Sequence, residues 1–311
     1  MSVPRISPRT YHRITLVALV SLGVIIVTGA AVRLTGSGLG CTDWPNCSEG
    51  RLVAPLELNP MVEFVNRVFT GVVSIAVILA VLGSLRREPR RRDLTWLSFG
   101  LVAGVVAQIV LGGITVLIDL HPAAVQSHFV LSIVIVWDAL VLHQRAGEER
   151  SAPYRPTVPP SLRRFAIGLA AWAVVVIVTG TVVTGSGPHG GDEDARRFGF
   201  AIGDVARIHG ITVVAFLAAT LVLVYQAHRR GAWARLATPL TVLVWAIVVQ
   251  GAIGYAQYFS GVPAFLVGLH VLGAVLVWAA VVQLGFATRA PTGQPTEAPS
   301  EASAPSLAAT S

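Results

Sequence analysis

Long apolar runs alternate with short polar breaks along the whole chain. Runs of about 20 residues, each enough to cross a hydrocarbon core of about 30 Å, lie at roughly 14–34, 61–84, 95–117, 122–143, 162–184, 203–226, 236–258 and 264–286. This pattern predicts eight transmembrane helices and an all-α integral membrane protein. The first run is too long for a signal peptide's apolar core and lacks a clean small-residue cleavage site, so it is expected to stay as an anchor. Residues 287–311, rich in Pro, Ala, Ser and Thr, are expected to form a disordered cytoplasmic tail.

The runs repeat in two sets. "VTGAAVRLTGSG" (27–38) recurs as "VTGTVVTGSG" (178–187), "QIVLGG" (108–113) is echoed by "QGAIGY" (250–255), and "HFVLSIVIVW" (128–137) by "HVLGAVLVW" (270–278). Gln108 and His128 are 20 residues apart, as are Gln250 and His270. Shared order and spacing predict two tandem four-helix bundles. Each contains an even number of spans, so the two are expected to be parallel, related by a pseudo-two-fold axis along the membrane normal. The expected organisation is an N-terminal segment 1–13, a first half 14–143, a linker 144–161, a second half 162–286 and the tail 287–311.

Composition agrees with a membrane protein: 54% of residues are apolar and 13% charged. Charge adds topology. All 23 basic residues are arginines, and they crowd before run one, between two and three, between four and five, and between six and seven. The alternate loops hold few arginines and most of the nearby acids. The positive-inside rule then puts both termini in the cytoplasm. The net charge of +7 reflects this bias, and nucleic-acid binding is not expected.

Polar side chains inside the runs are the candidates for chemistry. Of eight histidines, His128, His209 and His270 each lie about six residues from the outer end of a run, on the order of 9 Å deep at 1.5 Å per residue. His209 and His270 occupy matching depths in one half, an arrangement suited to bis-histidine haem ligation. Mapped onto the first half, His270 falls on His128 and His209 falls on Asn66, within "MVEFVNRVFT". That stretch also holds Glu63, one turn from Asn66 on the same face, and Arg67; Glu63 is matched by Ala206 in the second half. One site reads as a stable electron-transfer haem, the other as an open site with an acid/base group beside it.

These residues resemble the heme A synthases of aerobic respiration. The likeness rests on eight spans in two halves, "TGSGLGC" with a cysteine pair in the first outer loop, Glu63-x-x-Asn66-Arg67 opening span two, and His128, His209 and His270 in spans four, six and eight. The resemblance implies oxidation of the C8 methyl of haem O to the formyl group of haem A, the cofactor of cytochrome c oxidase. It implies haem b on His209 and His270, haem O as substrate in the first half with His128 as a site histidine, and Glu63 as the catalytic carboxylate. Asn66 departs from the family pattern, which commonly has histidine there. An amide is a poor axial ligand, so the first site would either keep a coordination position open or be bound by Asn66 through a water. Glu63 is then expected to relay protons, with helix-terminus stabilisation as the alternative.

Cys41 and Cys47, in the acidic turn "CTDWPNC", are expected to form a disulfide. The resemblance adds a redox role, and a plain structural staple is the alternative. Arg33, Arg67 and Arg207 lie at outer helix ends, where they would either pair with haem propionates or snorkel toward headgroups. Gln108 and Gln250 are expected to make interhelical hydrogen bonds. Expected partners are haem O, haem O synthase (protohaem farnesyltransferase), an unidentified electron donor and the lipid of the plasma membrane, with the haem sites toward the outer side; a homo-oligomer stays open. The competing functions are a membrane b-type cytochrome that only transfers electrons and a non-catalytic haem-handling assembly factor. A transporter is disfavoured because the polar groups gather near one surface and not at the midplane.

Overall fold

A computed structural model describes residues 5–48, 50–148 and 152–292. Eight helices, each long and apolar enough to cross a membrane, account for most of them. They are α1 (Pro8–Leu34), α2 (Leu58–Arg86), α3 (Arg92–Leu117), α4 (Pro122–Ala146), α5 (Pro160–Ser186), α6 (Ile202–Arg229), α7 (Trp233–Phe259) and α8 (Ala264–Ala287). Each contains one of the eight expected runs. Where the helices extend beyond the apolar runs, they do so through short polar turns at their ends. At the start of α1, Ser7 Oγ accepts the Thr10 N–H at 3.2 Å and proline follows the cap. Residues 8–13 of the expected N-terminal segment 1–13 are therefore the first turns of α1.

Helix α1 packs on α2 and α4, and α3 packs on α2 and α4; likewise α5 packs on α6 and α8, and α7 on α6 and α8. The two sets meet through α1 against α8, α4 against α5, and α4 against α8. Side chains such as Leu94, Leu101 and Leu142 fill the first set, and Phe216, Leu236, Leu240 and Leu243 the second. Lipid-facing surfaces are as apolar as the cores, as a hydrocarbon solvent permits: Val65, Trp96, Ile211, Trp245 and Phe265 are all exposed. Where hydrophobicity cannot hold helices together, small and polar side chains do. At the seam, the Trp278 indole N–H donates to the Ile133 carbonyl at 3.1 Å and Gln126 Nε2 donates to Thr181 Oγ1 at 2.8 Å.

At the arginine-rich end, Arg91 pairs with Asp93 at 2.7 Å and donates to the Arg145 and Glu148 carbonyls. Strand β1 (Tyr154–Pro156) in the linker pairs antiparallel with β2 (Arg289–Pro291) just beyond α8. The segment expected to be disordered from residue 287 is thus ordered through β2, because the linker backbone offers it a partner. Residues 293–311 of that expected tail lie outside the described residues.

Candidate functional site

Both sets of helices present polar side chains near the end opposite the arginine-rich face. In α5–α8 the two imidazoles of His209 and His270 face each other, with ring centroids 6.4 Å apart and planes at 80°. Glycines make room for them. A Cβ on Gly180 of α5 would lie 3.0 Å from His209 Cε1, and one on Gly254 of α7 would lie 3.0 Å from His270 Cε1. Beside Gly180, Thr179 Oγ1 is 3.1 Å from His209 Nδ1 and 3.0 Å from the Val175 and Val176 carbonyls. With the threonine proton on one of those carbonyls, its oxygen is placed to accept from Nδ1–H. That leaves the lone pair of His209 on Nε2, the form that binds a metal. Gln250 Nε2 donates to the His270 carbonyl at 2.8 Å, the expected interhelical bond.

A bis-imidazole iron centre fits this geometry. Two metal–nitrogen bonds of about 2 Å take up most of the gap between the rings, the remainder lying within the rings. Among the described residues no hydrogen bond occupies Nε2 of either histidine, and the glycine notches are of the depth the rings need.

In α1–α4 the same frame holds different side chains. Gly112 of α3 backs His128, with a Cβ there reaching 3.3 Å from Cε1. Gln108 Nε2 donates to the His128 carbonyl at 3.0 Å, matching Gln250. On α1, Thr28 and Gly29 are the repeat counterparts of Thr179 and Gly180. The Thr28 hydroxyl donates to Asn66 Oδ1 at 2.8 Å, while a Cβ on Gly29 would meet nothing within 4 Å. Asn66 therefore stands where His209 stands, held by the equivalent threonine, but is too short to fill the glycine notch. With one Oδ1 lone pair engaged, Asn66 has its two N–H donors and the second Oδ1 lone pair left to offer, neither of them a strong iron ligand.

Glu63 and Arg67 belong to a second cluster built on the disulfide loop. Cys41 and Cys47 are bonded and buried. The Cys41 N–H donates to Glu63 Oε2 at 2.7 Å, and Arg67 donates to Glu63 Oε1 from Nε at 3.0 Å and Nη2 at 2.5 Å. Arg67 Nη1 also donates to the Asn46 carbonyl at 2.9 Å and the Asp43 carbonyl at 3.2 Å, and the guanidinium lies 5.2 Å from the Trp44 ring centre. Trp44 in turn packs where Gly113 leaves space, beside the Gly112 notch. Glu63 is 5% exposed. It does not cap α2, whose N-cap residue is Glu57.

From the sequence, Arg67 at the rim either pairs with a propionate or snorkels toward headgroups. Its donors go to Glu63 and the loop carbonyls, because i,i+4 spacing on α2 puts Glu63 within reach. Arg207 pairs with Asp204 at 3.7 Å in an exposed contact. Thr28, Thr179 and Trp44 were not singled out as site residues. The two threonines were visible as the repeated "VTG", which served only as evidence of repetition. Among the remaining histidines, His12 stacks on His143 with centroids 4.0 Å apart at the arginine-rich end, far from both sites.

Residues 12–59 and 57–188 match the model of a family described as cytochrome oxidase assembly protein. Several curated relatives carry the name "Heme A synthase". That of Exiguobacterium sibiricum is 28% identical over 161 residues, 51% of this chain and 54% of the relative. That of Shouchella clausii is 33% identical over 171 residues, 52% of this chain and 56% of the relative. In these matches the chain spans about half the length of the relative. The protein of Alkalihalophilus pseudofirmus is 23% identical over 285 residues, covering 86% of this chain and 91% of the relative.

Proposed function

The chain belongs to the cytochrome oxidase assembly protein family, and from that premise we propose that it is a heme A synthase, an oxidoreductase that converts the C8 methyl of haem O to the formyl group of haem A. The name of its relatives supports this reading. So does the contact pattern of two helix rings joined through α1, α4, α5 and α8, which agrees with two related halves carrying one site each. The arginine distribution supports cytoplasmic termini in the plasma membrane, with both sites toward the outer face.

The observation that carries the proposal is the inequality of two matched sites. Thr179, Gly180, His209, Gly254 and His270 make a closed two-imidazole set, which in this reading holds haem b. Thr28, Gly29, Asn66, Gly112 and His128 make the same set with one imidazole replaced by an amide, which in this reading receives haem O. Bound haem supplies the electron transfer and the oxidising chemistry. The protein's own part is positional. His128, backed by Gly112 and held through its carbonyl by Gln108, would offer the haem iron one nitrogen. Asn66 offers a donor on the opposite side and no second strong ligand.

Glu63 is the group available to move protons as the methyl is oxidised. Both of its oxygens are held, one by Cys41 N–H and one by Arg67. Arg67 takes two lone-pair sites on Oε1 and Cys41 N–H one on Oε2, so a proton would enter on the free side of Oε2, the oxygen tied to the disulfide loop. The methyl loses electrons and gains an oxygen, so the reaction needs an external oxidant of the dioxygen class, with an external donor supplying the reducing equivalents that such an oxidant requires; haem O synthase is the natural supplier of the substrate.

Co-expression with a source of haem O tests the reading. Wild type should accumulate haem A, and Glu63→Gln should lose it while keeping the haem b spectrum of the second half. Two equivalents of haem b with no haem O or A in the extracted pigment would identify an electron-transferring cytochrome instead.

A further inference from the structure

One pair of arginines near the sites has no counter-charge. Arg33 ends α1 one turn beyond Gly29 and on the same helical face. Among the described residues its guanidinium makes no hydrogen bond and no ion pair, and its electrostatic neighbour is another cation, Arg197. Arg197 comes from the loop between α5 and α6. Its Nη2 donates to the Pro188 carbonyl at 2.8 Å, while Nη1 is buried without a partner. The acids of the same loop do not pair with either arginine; the Asp192 carboxylate instead accepts the Asp194 N–H at 3.0 Å.

The loop is shaped around these side chains. A Cβ on Gly190 would overlap the Arg197 guanidinium, and one on Gly191 would lie 3.3 Å from Arg33 Cγ. Gly191 also has φ +106°, which side chains rarely adopt. The Gly38 N–H donates to the Gly191 carbonyl at 2.7 Å, so the first outer loop and the α5–α6 loop are tied where the two arginines meet. Two partly buried like charges side by side are unfavourable unless an anion lies between them, and a guanidinium fork suits a carboxylate.

We propose that Arg33 and Arg197 form a carboxylate-binding site at the seam between the two halves, and that it takes a propionate of the porphyrin held by the first half. Arg33 stands one turn above the Thr28–Gly29 pair that holds Asn66, so an anion between the arginines lies over the rim of that site. This inference rests on the substrate-haem reading above. It gives the second half a direct hand in binding the substrate of the first.

The test uses the full-length protein in neutral-lipid nanodiscs, with its second-half haem in place. Ferric haem B and its dimethyl ester serve as probes, and binding is read from Soret difference spectra. Wild type should bind the diacid more tightly than the ester by roughly tenfold or more. Arg33→Gln and Arg197→Gln should each weaken the diacid by roughly tenfold and leave the ester unchanged, and Arg33→Lys should restore part of the loss. An unaltered second-half spectrum reports that the variants are folded. Equal binding of diacid and ester by wild type would overturn the site. So would variants that weaken both probes alike, or a diacid preference that disappears when anionic lipid is added, which would assign the arginines to lipid phosphate. If wild type takes up neither probe, the substrate-haem reading itself fails.

Discussion

The backbone N–H of Cys41 donates to Glu63 Oε2 at 2.7 Å, joining the first cysteine of the disulfide loop to the carboxylate at the mouth of the first site. With Arg67 bridging Glu63 to the Asp43 and Asn46 carbonyls, the loop, the arginine and the carboxylate form one unit.

Opening the loop should therefore disturb Glu63. Closing a loop this short stabilises a fold by about 2 kcal/mol, too little to unfold eight packed helices on its removal. Cys41→Ala/Cys47→Ala is expected to keep the second-half haem spectrum and to lower haem A formation by roughly tenfold or more. Quantifying both in one membrane preparation checks this; full turnover in the double variant would reduce the loop to a cover.

Asn66→His should be accommodated without strain. The Gly29 notch has nothing within 4 Å, and Thr28 is placed to bind the ring as Thr179 binds His209. The variant is expected to give the first site a two-histidine, low-spin optical signature and to slow turnover by roughly tenfold, about 1.4 kcal/mol. Optical and electron paramagnetic spectra beside a haem A assay decide it. Unchanged turnover would mean that the open position is irrelevant.

The glycine notches predict opposite outcomes for the same substitution. Gly180→Ala and Gly254→Ala push a Cβ to 3.0 Å from a histidine ring, and each should lose haem from the second half. Gly29→Ala meets nothing and should be neutral, or stabilising by up to about 1 kcal/mol through helix propensity. Haem-to-protein ratios of the three purified variants, with thermal unfolding, test the pattern.

Thr179 Oγ1, 3.1 Å from His209 Nδ1, is the acceptor that would hold the ring proton on that nitrogen. Thr179→Val removes that acceptor and should weaken second-half haem binding by about 10–100-fold and shift its midpoint potential, with Thr179→Ser restoring both. Redox titration of the b-type signal is the readout. An unshifted potential in the valine variant would leave the threonine a packing residue.

Much of this architecture was legible in the sequence because a bilayer imposes simple rules. A span must hold about 20 apolar residues, so the eight helices could be counted and nearly bounded from hydrophobicity alone. Polar residues inside a span stand out against it, so His128, His209, His270, Glu63 and Asn66 could be found, and repeat spacing put Asn66 opposite His209. Pairing is another matter, because it depends on helix rotation and on loops that return from distant parts of the chain. Arg67 looked free at the rim until the loop folded back onto it. Thr28 and Thr179 looked like repeat markers until packing aimed them at Asn66 and His209. Arg33 and Arg197 are 164 residues apart in the sequence, and only the seam between the two helix sets brings their charges together. Local pattern determined which side chains enter the membrane; tertiary packing decided what each of them touches.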